Sequence, residues 1–149
     1  MRHIDCDVRL VQFIQKNRGR DFEWGQNDCG MFALRCIYAI TDRKQDDPLL
    51  GKYSNMQEAE IILHAQGWDN LAQAAESIIG VKPIGLPLMA QRGDVVWVAD
   101  PHTTPEMDLG IGSLLVCTGS NILGPGLHGM VSIPIDKIHQ HGALVYRVI

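Results

Sequence analysis

The sequence predicts a single α+β domain in which N-terminal helices pack on a small C-terminal antiparallel sheet. Two observations carry this prediction. Apolar residues recur at helical spacing through the first 80 residues, and beyond residue 90 the pattern changes to the period of two that is typical of strands. Helices that precede the strands, rather than alternate with them, favour a segregated α+β architecture. The length of 149 residues suits one such domain with its own core.

Composition and charge exclude several classes of protein. Apolar residues make up 46% of the chain and charged residues 20%, which is ordinary for a globular domain. The formal net charge of −4 disfavours a nucleic-acid groove, and no run approaches the roughly 18 apolar residues of a membrane span. Charges interrupt the apolar positions of residues 1–13, so we expect no signal peptide and synthesis in the host cytoplasm.

Helices are predicted throughout the first part of the chain. We expect them at residues 5–16, 29–41, 54–66 and 70–79. Asp5 or Asp7 can cap the first helix, and Gly80 is placed to end the last one. Ser54 and Gln57 form a capping-box pattern at the start of the third. The single domain, residues 1–149, therefore divides into an N-terminal helix in 1–20, a helical half in 21–80 and a sheet half in 91–149.

The sheet half is predicted from short apolar runs separated by turn residues. We expect strands at residues 94–99, 109–111, 114–118, 130–133 and 143–149. The second and third of these form a hairpin around Gly112 and Ser113. Residues 119–129 are rich in glycine and contain Pro125, so the pattern predicts a loop there.

Cys29 begins the most apolar of the predicted helices. Asn27 and Asp28 precede it, and both are residue types that cap helices by accepting from free backbone N–H groups. Cys29 is therefore expected in the first helical turn, where the partial positive charge of the helix favours a thiolate. The neighbouring Asp28 opposes this effect, because a nearby anion raises the pKa of a thiol. The alternative interpretation is a small, buried and inert cysteine.

The residues around Cys29 form a pattern that resembles a known motif. The pattern is Trp24-Gly25-x-x-Asp28-Cys29-x-x-Phe32-Ala33. It is similar to the nucleophile motif of the NlpC-type, papain-like cysteine peptidases, and within them to the branch encoded in phage tail gene clusters. The resemblance covers most of residues 22–149. It implies a papain-like fold with Cys29 as the nucleophile, and a first strand that opens with Arg-Gly-Asp, here at residues 92–94.

The resemblance also implies a histidine at the start of the next strand, and here this position holds Asp108. A carboxylate is ionised at pH 7, so it opposes thiolate formation and is a poor acid for the leaving amine. His102 and His128, both in predicted loops, are the candidates to replace the missing imidazole. Thr118 or Ser120 falls where a third polar residue would orient the imidazole. We therefore expect the peptidase activity of the domain to be weak or undetectable.

Neither a disulfide framework nor a metal site is expected. Cys29 and Cys36 lie on one predicted helix with their Cα atoms roughly 10 Å apart, beyond the reach of a disulfide. His139 and His141 form a His-x-His pair, but zinc requires further converging ligands, and none has suitable spacing. We expect no cofactor.

The resemblance implies two alternative functions. The favoured one is a catalytically degraded component of a phage tail tip or baseplate, located in the virion and bound to distal-tail, hub or tail-tip proteins. The expected contact surfaces are residues 119–129, with Ile122, Leu123 and Leu127 exposed, and the proline-rich residues 81–88. The alternative is an active tail-associated peptidase that cleaves the stem peptides of peptidoglycan during cell entry.

Overall fold

The computed structural model describes residues 1–43, 49–80, 82–85, 87–99, 111–141 and 143–149, with the side chains of residues 139–141 left out. Within these ranges the helices are α1 Cys6–Asn17, α2 Cys29–Ile40, α3 Met56–Ala65 and α4 Leu71–Ile79. The strands are β1 Val95–Val98, β2 Ser113–Cys117, β3 Asn121–Gly126, β4 Gly129–Pro134 and β5 Ala143–Tyr146. Short 3-10 helices span Pro87–Met89 and Ile135–His141. The predicted α+β class is confirmed.

The described strands form one antiparallel sheet in the order β4-β3-β2-β1-β5. Helices α1, α2 and α4 cover one face, where their apolar side chains meet alternate residues of the strands. The opposite face packs against Ile138 of the second 3-10 helix and against Ile84. Burial on both faces explains why the central strands read as nearly continuous apolar runs.

Side-chain caps set the starts of three helices. Asp28, Asn55 and Asn70 accept hydrogen bonds from the backbone N–H groups three residues further on. The end of α4 at a left-handed Gly80 was predicted and is confirmed. The predicted capping box of Ser54 and Gln57 was wrong by one residue. Asn55 is the residue that caps α3, and the Glu58 carboxylate, not the Gln57 side chain, accepts from the Ser54 N–H.

The predicted loop over residues 119–129 was wrong, because it contains β3 and the turn into β4. Ile122 and Leu123 are buried in the sheet rather than exposed. In the described part of the chain, β3 pairs with β2 at Ile122 and Leu123, and Pro125 lies beyond this pairing. Pro125 therefore pairs on one side, with β4. Proline is tolerated in a strand where its backbone nitrogen is not needed as a donor.

The predicted hairpin around Gly112 and Ser113 was also wrong. Ser113 is the first residue of β2 and lies opposite Val98 of β1. Gly112 has a φ of +71°, and a Cβ there would lie 2.3 Å from the indole nitrogen of Trp97. That indole donates to the Ile111 carbonyl at 3.0 Å. The neighbour of β2 at Ser113 is therefore β1, and not a strand at residues 109–111. Residues 109 and 110 lie outside the described residues.

Asp94 connects Arg2 and Arg147 to the start of β1. Its carboxylate is fully buried and pairs with Arg2 at 2.8 Å and with Arg147 at 3.2 Å. The Arg2 guanidinium also donates to the carbonyls of Arg92 and Val148. Asp94, the last residue of the Arg-Gly-Asp sequence, thus acts as the counterion of two arginines from the chain termini.

Candidate functional site

Cys29 is the first residue of α2, as the sequence predicted, and Asp28 is the residue that caps the helix. The Asp28 Oδ1 atom accepts from the Met31 N–H at 2.9 Å. Asn27 has a different role, because its side chain donates to the Asp21 carbonyl and accepts from Arg35. Asp28 thus fixes the start of the helix, and Asn27 holds the turn that precedes it.

The second oxygen of Asp28 is held by two further donors. The Gly25 N–H donates to Oδ2 at 2.9 Å, and the Tyr53 hydroxyl donates to the same atom at 2.5 Å. Asp28 is only 3% exposed. Because both oxygens accept hydrogen bonds, the carboxylate is held in a fixed position beside Cys29.

Gly25 shows why the motif requires a glycine at this position. Its φ is +76°, and a Cβ there would lie 2.4 Å from the carbonyl oxygen of Tyr53. The preceding Trp24 is half-buried and packs with the cluster of Met56, Leu63, Ala74 and Ile111, and its ring meets Phe22 edge-on at 4.8 Å. The Trp-Gly pair therefore closes the turn against the segment that carries Tyr53.

Strand β2 faces Cys29 from the sheet. Polar groups of Ser113 and Leu114 at the start of this strand act to lower the pKa of Cys29. An apolar cavity of about 60 Å³ lies beside this contact, and its walls include Gly30, Tyr53 and Leu114. The start of α2 and the start of β2 are thus direct neighbours.

The balance of these effects keeps Cys29 protonated. Loss of hydration and the negative charge of Asp28 together raise the pKa of Cys29 from its ordinary value of 9.0 to about 11, despite the opposing effect of polar groups of Leu114, Ser113 and Gly30. The expected depression of the pKa by the helix terminus is therefore outweighed. At neutral pH the site holds a thiol, which is a weak nucleophile.

The candidate histidines are placed as follows. His128 is exposed in the turn between β3 and β4, and this turn lies at the same end of the sheet as Ser113 because β2 and β3 run antiparallel. No imidazole is among the groups of the described chain that shift the pKa of Cys29. His102 and Asp108 lie outside the described residues.

Thr118 and Ser120, the candidates for an orienting residue, lie at the far end of β2 from Cys29. Thr118 lies five positions beyond Ser113, which corresponds to about 17 Å along a strand. The Thr118 hydroxyl donates to the Asn121 carbonyl at 3.2 Å within the turn into β3. Their role is therefore in that turn and not at the thiol.

The structure also bears on metal sites and membrane spans. Among the residues described, no group of three or more His, Cys, Asp and Glu side chains is arranged to hold a metal ion. The side chains of His139 and His141 lie outside the described set. The cysteines, all four within the described ranges, carry free thiols. No helix of the described ranges has the length and apolar character needed to cross a membrane.

Sequence reasoning missed Ser113 and Tyr53 as parts of this site. Ser113 was assigned to a turn, although it directly precedes the apolar run Leu-Leu-Val-Cys that forms the rest of β2. Tyr53 was noted only as part of a Gly-x-Tyr sequence. Neither sequence signal shows that the Tyr53 hydroxyl reaches Asp28 or that the start of β2 lies near Cys29.

Comparison with known families assigns the chain to one of them. The sequence model of a domain of unknown function, DUF6950, matches residues 1–141. The chain belongs to the DUF6950 family. No curated protein and no solved structure matches it significantly. The DUF6950 match contains the whole of the Cys29 site, from Gly25 to Ser113.

Proposed function

We propose that this DUF6950 domain is a papain-like, NlpC-type scaffold whose cysteine site has lost peptidase activity, and that it serves as a component of a phage tail tip or baseplate. The protonated state of Cys29 supports this proposal. The described groups that act on the sulfur are a carboxylate, a hydroxyl and backbone groups. None of them takes a thiol proton at neutral pH and returns it to a leaving amine, as a cysteine peptidase requires.

The assignment to a phage tail rests on the sequence pattern around Cys29. This pattern resembles the peptidase branch that is encoded in phage tail gene clusters. The proposed partners are distal-tail, hub and tail-tip proteins, with peptidoglycan as a second candidate. Of the apolar residues expected to meet these partners, Ile122 and Leu123 cannot do so because they are buried. Two exposed apolar residues remain: Leu127, at 38% exposure, and Leu88 of the proline-rich residues 81–88, at 67%.

The test is a hydrolysis assay on purified cell wall, in which turbidity and released stem peptides are measured. We expect the wild type and the Cys29→Ala variant to behave alike. Cleavage by the wild type that is lost in Cys29→Ala would overturn the proposal. Binding assays with phage tail-tube, distal-tail and hub proteins test the assembly role, and a lack of binding to all of them would contradict it.

The second candidate is the active tail-associated peptidase. One observation favours it: the turn that carries His128 lies at the end of the sheet where β2 meets Cys29. In that case His128→Ala would abolish cleavage and Thr118→Ala, at the other end of β2, would not. His102→Ala provides the same comparison for the other candidate histidine.

A further inference from the structure

The first helix carries a row of apolar side chains on the side that faces away from the core. Its inner side includes Leu10 and Ile14, which belong to the main core cluster. On the outer side Val8 is 56% and Val11 49% exposed, and Ile4, directly before the helix, is fully exposed. Residues three and four positions apart share one face of a helix, so Ile4, Val8 and Val11 form one row, here called the α1 stripe. Exposed apolar residues that are grouped, rather than scattered, are typical of contact surfaces.

The charges beside the α1 stripe are divided between the two ends of the helix. Asp5 and Asp7 lie at the N-terminal end, and Lys16 and Arg18 lie at the C-terminal end. All four are exposed. In an antiparallel pair of such helices, the acidic end of each would lie against the basic end of the other, and the helix dipoles would add to this attraction. In a parallel pair, like charges would meet. The helix is therefore complementary to a second copy of itself that runs in the opposite direction.

The two sides of the α1 stripe match as well as its two ends. With 3.6 residues per turn, Asp7 and Arg18 fall on one side of the stripe, whereas Asp5 and Lys16 fall on the other. A two-fold axis between antiparallel helices brings the same side of each helix together. Asp7 of one copy would then meet Arg18 of the other, and Asp5 would meet Lys16. Asp5 already accepts from Arg9 of its own chain at 2.7 Å, so Lys16 would join an existing ion pair.

We propose that the α1 stripe is the contact surface of a symmetric dimer, in which the α1 helices of two copies of this chain pack antiparallel. Val8 and Val11 of both copies form the apolar centre of this contact, and the four charges form its polar rim. A second copy supplies the apolar row and the inverted order of charges by symmetry, whereas an unrelated partner would need both features separately. This inference goes beyond the proposed function and does not depend on it.

The dimer is expected to be weak. One helix of 12 residues from each copy forms an interface below the roughly 1,200 Å² of standard complexes. Exposed ion pairs contribute little affinity and are screened by salt, so they select the antiparallel orientation while the apolar centre supplies most of the attraction. We therefore expect the chain to be a monomer in dilute solution and to pair at micromolar or higher concentrations.

The apolar centre is tested by sedimentation equilibrium of the purified chain between about 5 and 500 µM, the range in which a small interface associates. The wild type should shift from monomer to dimer. Val8→Lys places a charge at the contact on both copies and should weaken the association by about tenfold or more. Ile61→Lys is the matched control, because it makes the same change at an exposed apolar residue of α3, and it should leave the dissociation constant unchanged. A wild type that stays monomeric throughout, or equal effects of both variants, would overturn the proposal.

The antiparallel orientation is tested by exchanging charges. Asp7→Arg and Arg18→Asp should each weaken the dimer severalfold, because like charges would meet twice in each symmetric pair. An equimolar mixture of the two variants should associate about as tightly as the wild type. One chain of the mixed pair has arginine at positions 7 and 18, and the other has aspartate at both. A mixture that associates no more tightly than its two components would reject the antiparallel contact, provided that circular dichroism shows both variants folded.

The same variants distinguish a second copy from another occupant of this surface. If the isolated chain stays monomeric while a phage tail protein binds it and Val8→Lys abolishes that binding, the α1 stripe belongs to that partner and the dimer is rejected. Cell-wall cleavage by the wild type would reject the proposed loss of activity and would leave the sedimentation results unaffected.

Discussion

Tyr53 donates its hydroxyl hydrogen to the carboxylate of Asp28, 25 positions earlier in the sequence. This hydrogen bond connects the segment before α3 to the cap of α2, next to Cys29. Burial and the Asp28 charge raise the pKa of Tyr53 well above its ordinary value of 10.0, so the hydroxyl stays a donor over the whole physiological range. The Asp28 carboxylate is therefore held in place beside the thiol.

The first prediction concerns this charge. Asp28→Asn should lower the pKa of Cys29, because it removes the negative charge that raises it, while asparagine still caps the helix. We expect faster alkylation of Cys29 by iodoacetamide between pH 7 and 9. The matched control is Asp7→Asn, which makes the same charge change on an exposed residue of α1. An unchanged Cys29 profile in a folded Asp28→Asn protein would show that the charge does not control the thiol.

The helical half of this site could be predicted from sequence because its signals are local. Asp28, Cys29 and the apolar residues of α2 lie within one short stretch, and a capping residue before a periodic apolar run identifies a helix start. The left-handed Gly80 at the end of α4 is a signal of the same kind. Each of these predictions depends on residues only a few positions apart.

The sheet half could not be predicted to the same level, because its structure depends on distant pairing. The glycines and Pro125 of β3 have the composition of a loop, and only their pairing with β4 makes them a strand. Likewise, Ser113 lies opposite Val98 and beside Cys29 because of tertiary packing. Strand preference is set mainly by such neighbours and only weakly by the residue itself.

The second prediction concerns the buried ion pairs at the chain termini. Asp94→Asn should lower the free energy of unfolding by roughly 2–4 kcal/mol, because it leaves Arg2 and Arg147 without their buried counterion. We place the value near the lower end of the range for buried pairs, since both guanidinium groups are partly exposed. Urea unfolding measures the change. Asp136→Asn, an exposed site on the second 3-10 helix, should change stability little, and equal effects of both variants would contradict the assigned role of Asp94.

The third prediction concerns alkaline pH. The pKa of Cys29 is raised to about 11 and that of buried Cys36 to about 12, both from 9.0. The unfolded chain therefore loses these protons first. The contribution of these two thiols to the free energy of unfolding is therefore complete below pH 9, and it is lost as the pH rises through 9 towards 11 and 12.

Urea midpoints measured between pH 7 and 10.5 should fall above pH 9. The urea midpoint of the Cys29→Ser variant should fall less steeply with pH, because serine does not titrate in this range. Parallel curves for the wild type and the variant would show that Cys29 does not contribute to the alkaline loss.

The last prediction compares two glycines on either side of the Asp28 cap. Gly30 lies in the first turn of α2, and a Cβ there would lie 3.4 Å from the Asp28 carboxylate and 3.8 Å from Leu71. These are ordinary contacts, and alanine is favoured over glycine in a helix, so Gly30→Ala should stabilise the protein by about 0.5–1 kcal/mol. Gly25→Ala should destabilise it by about 1–3 kcal/mol, because its φ is positive and the Cβ would clash with the Tyr53 carbonyl.

Both variants add the same single methyl group, so each is the control for the other. Urea unfolding at pH 7 should move the midpoint upward for Gly30→Ala and downward for Gly25→Ala, with little change in slope. An upward shift for Gly25→Ala would mean that the turn from Gly25 to Asp28 does not have the positive φ and close approach assigned to it, and a downward shift for Gly30→Ala would mean that α2 has no room for the added methyl group. With an upward shift for Gly25→Ala, the assigned contact between Tyr53 and Asp28 would fail as well, because it depends on the close approach of Gly25 to the Tyr53 backbone.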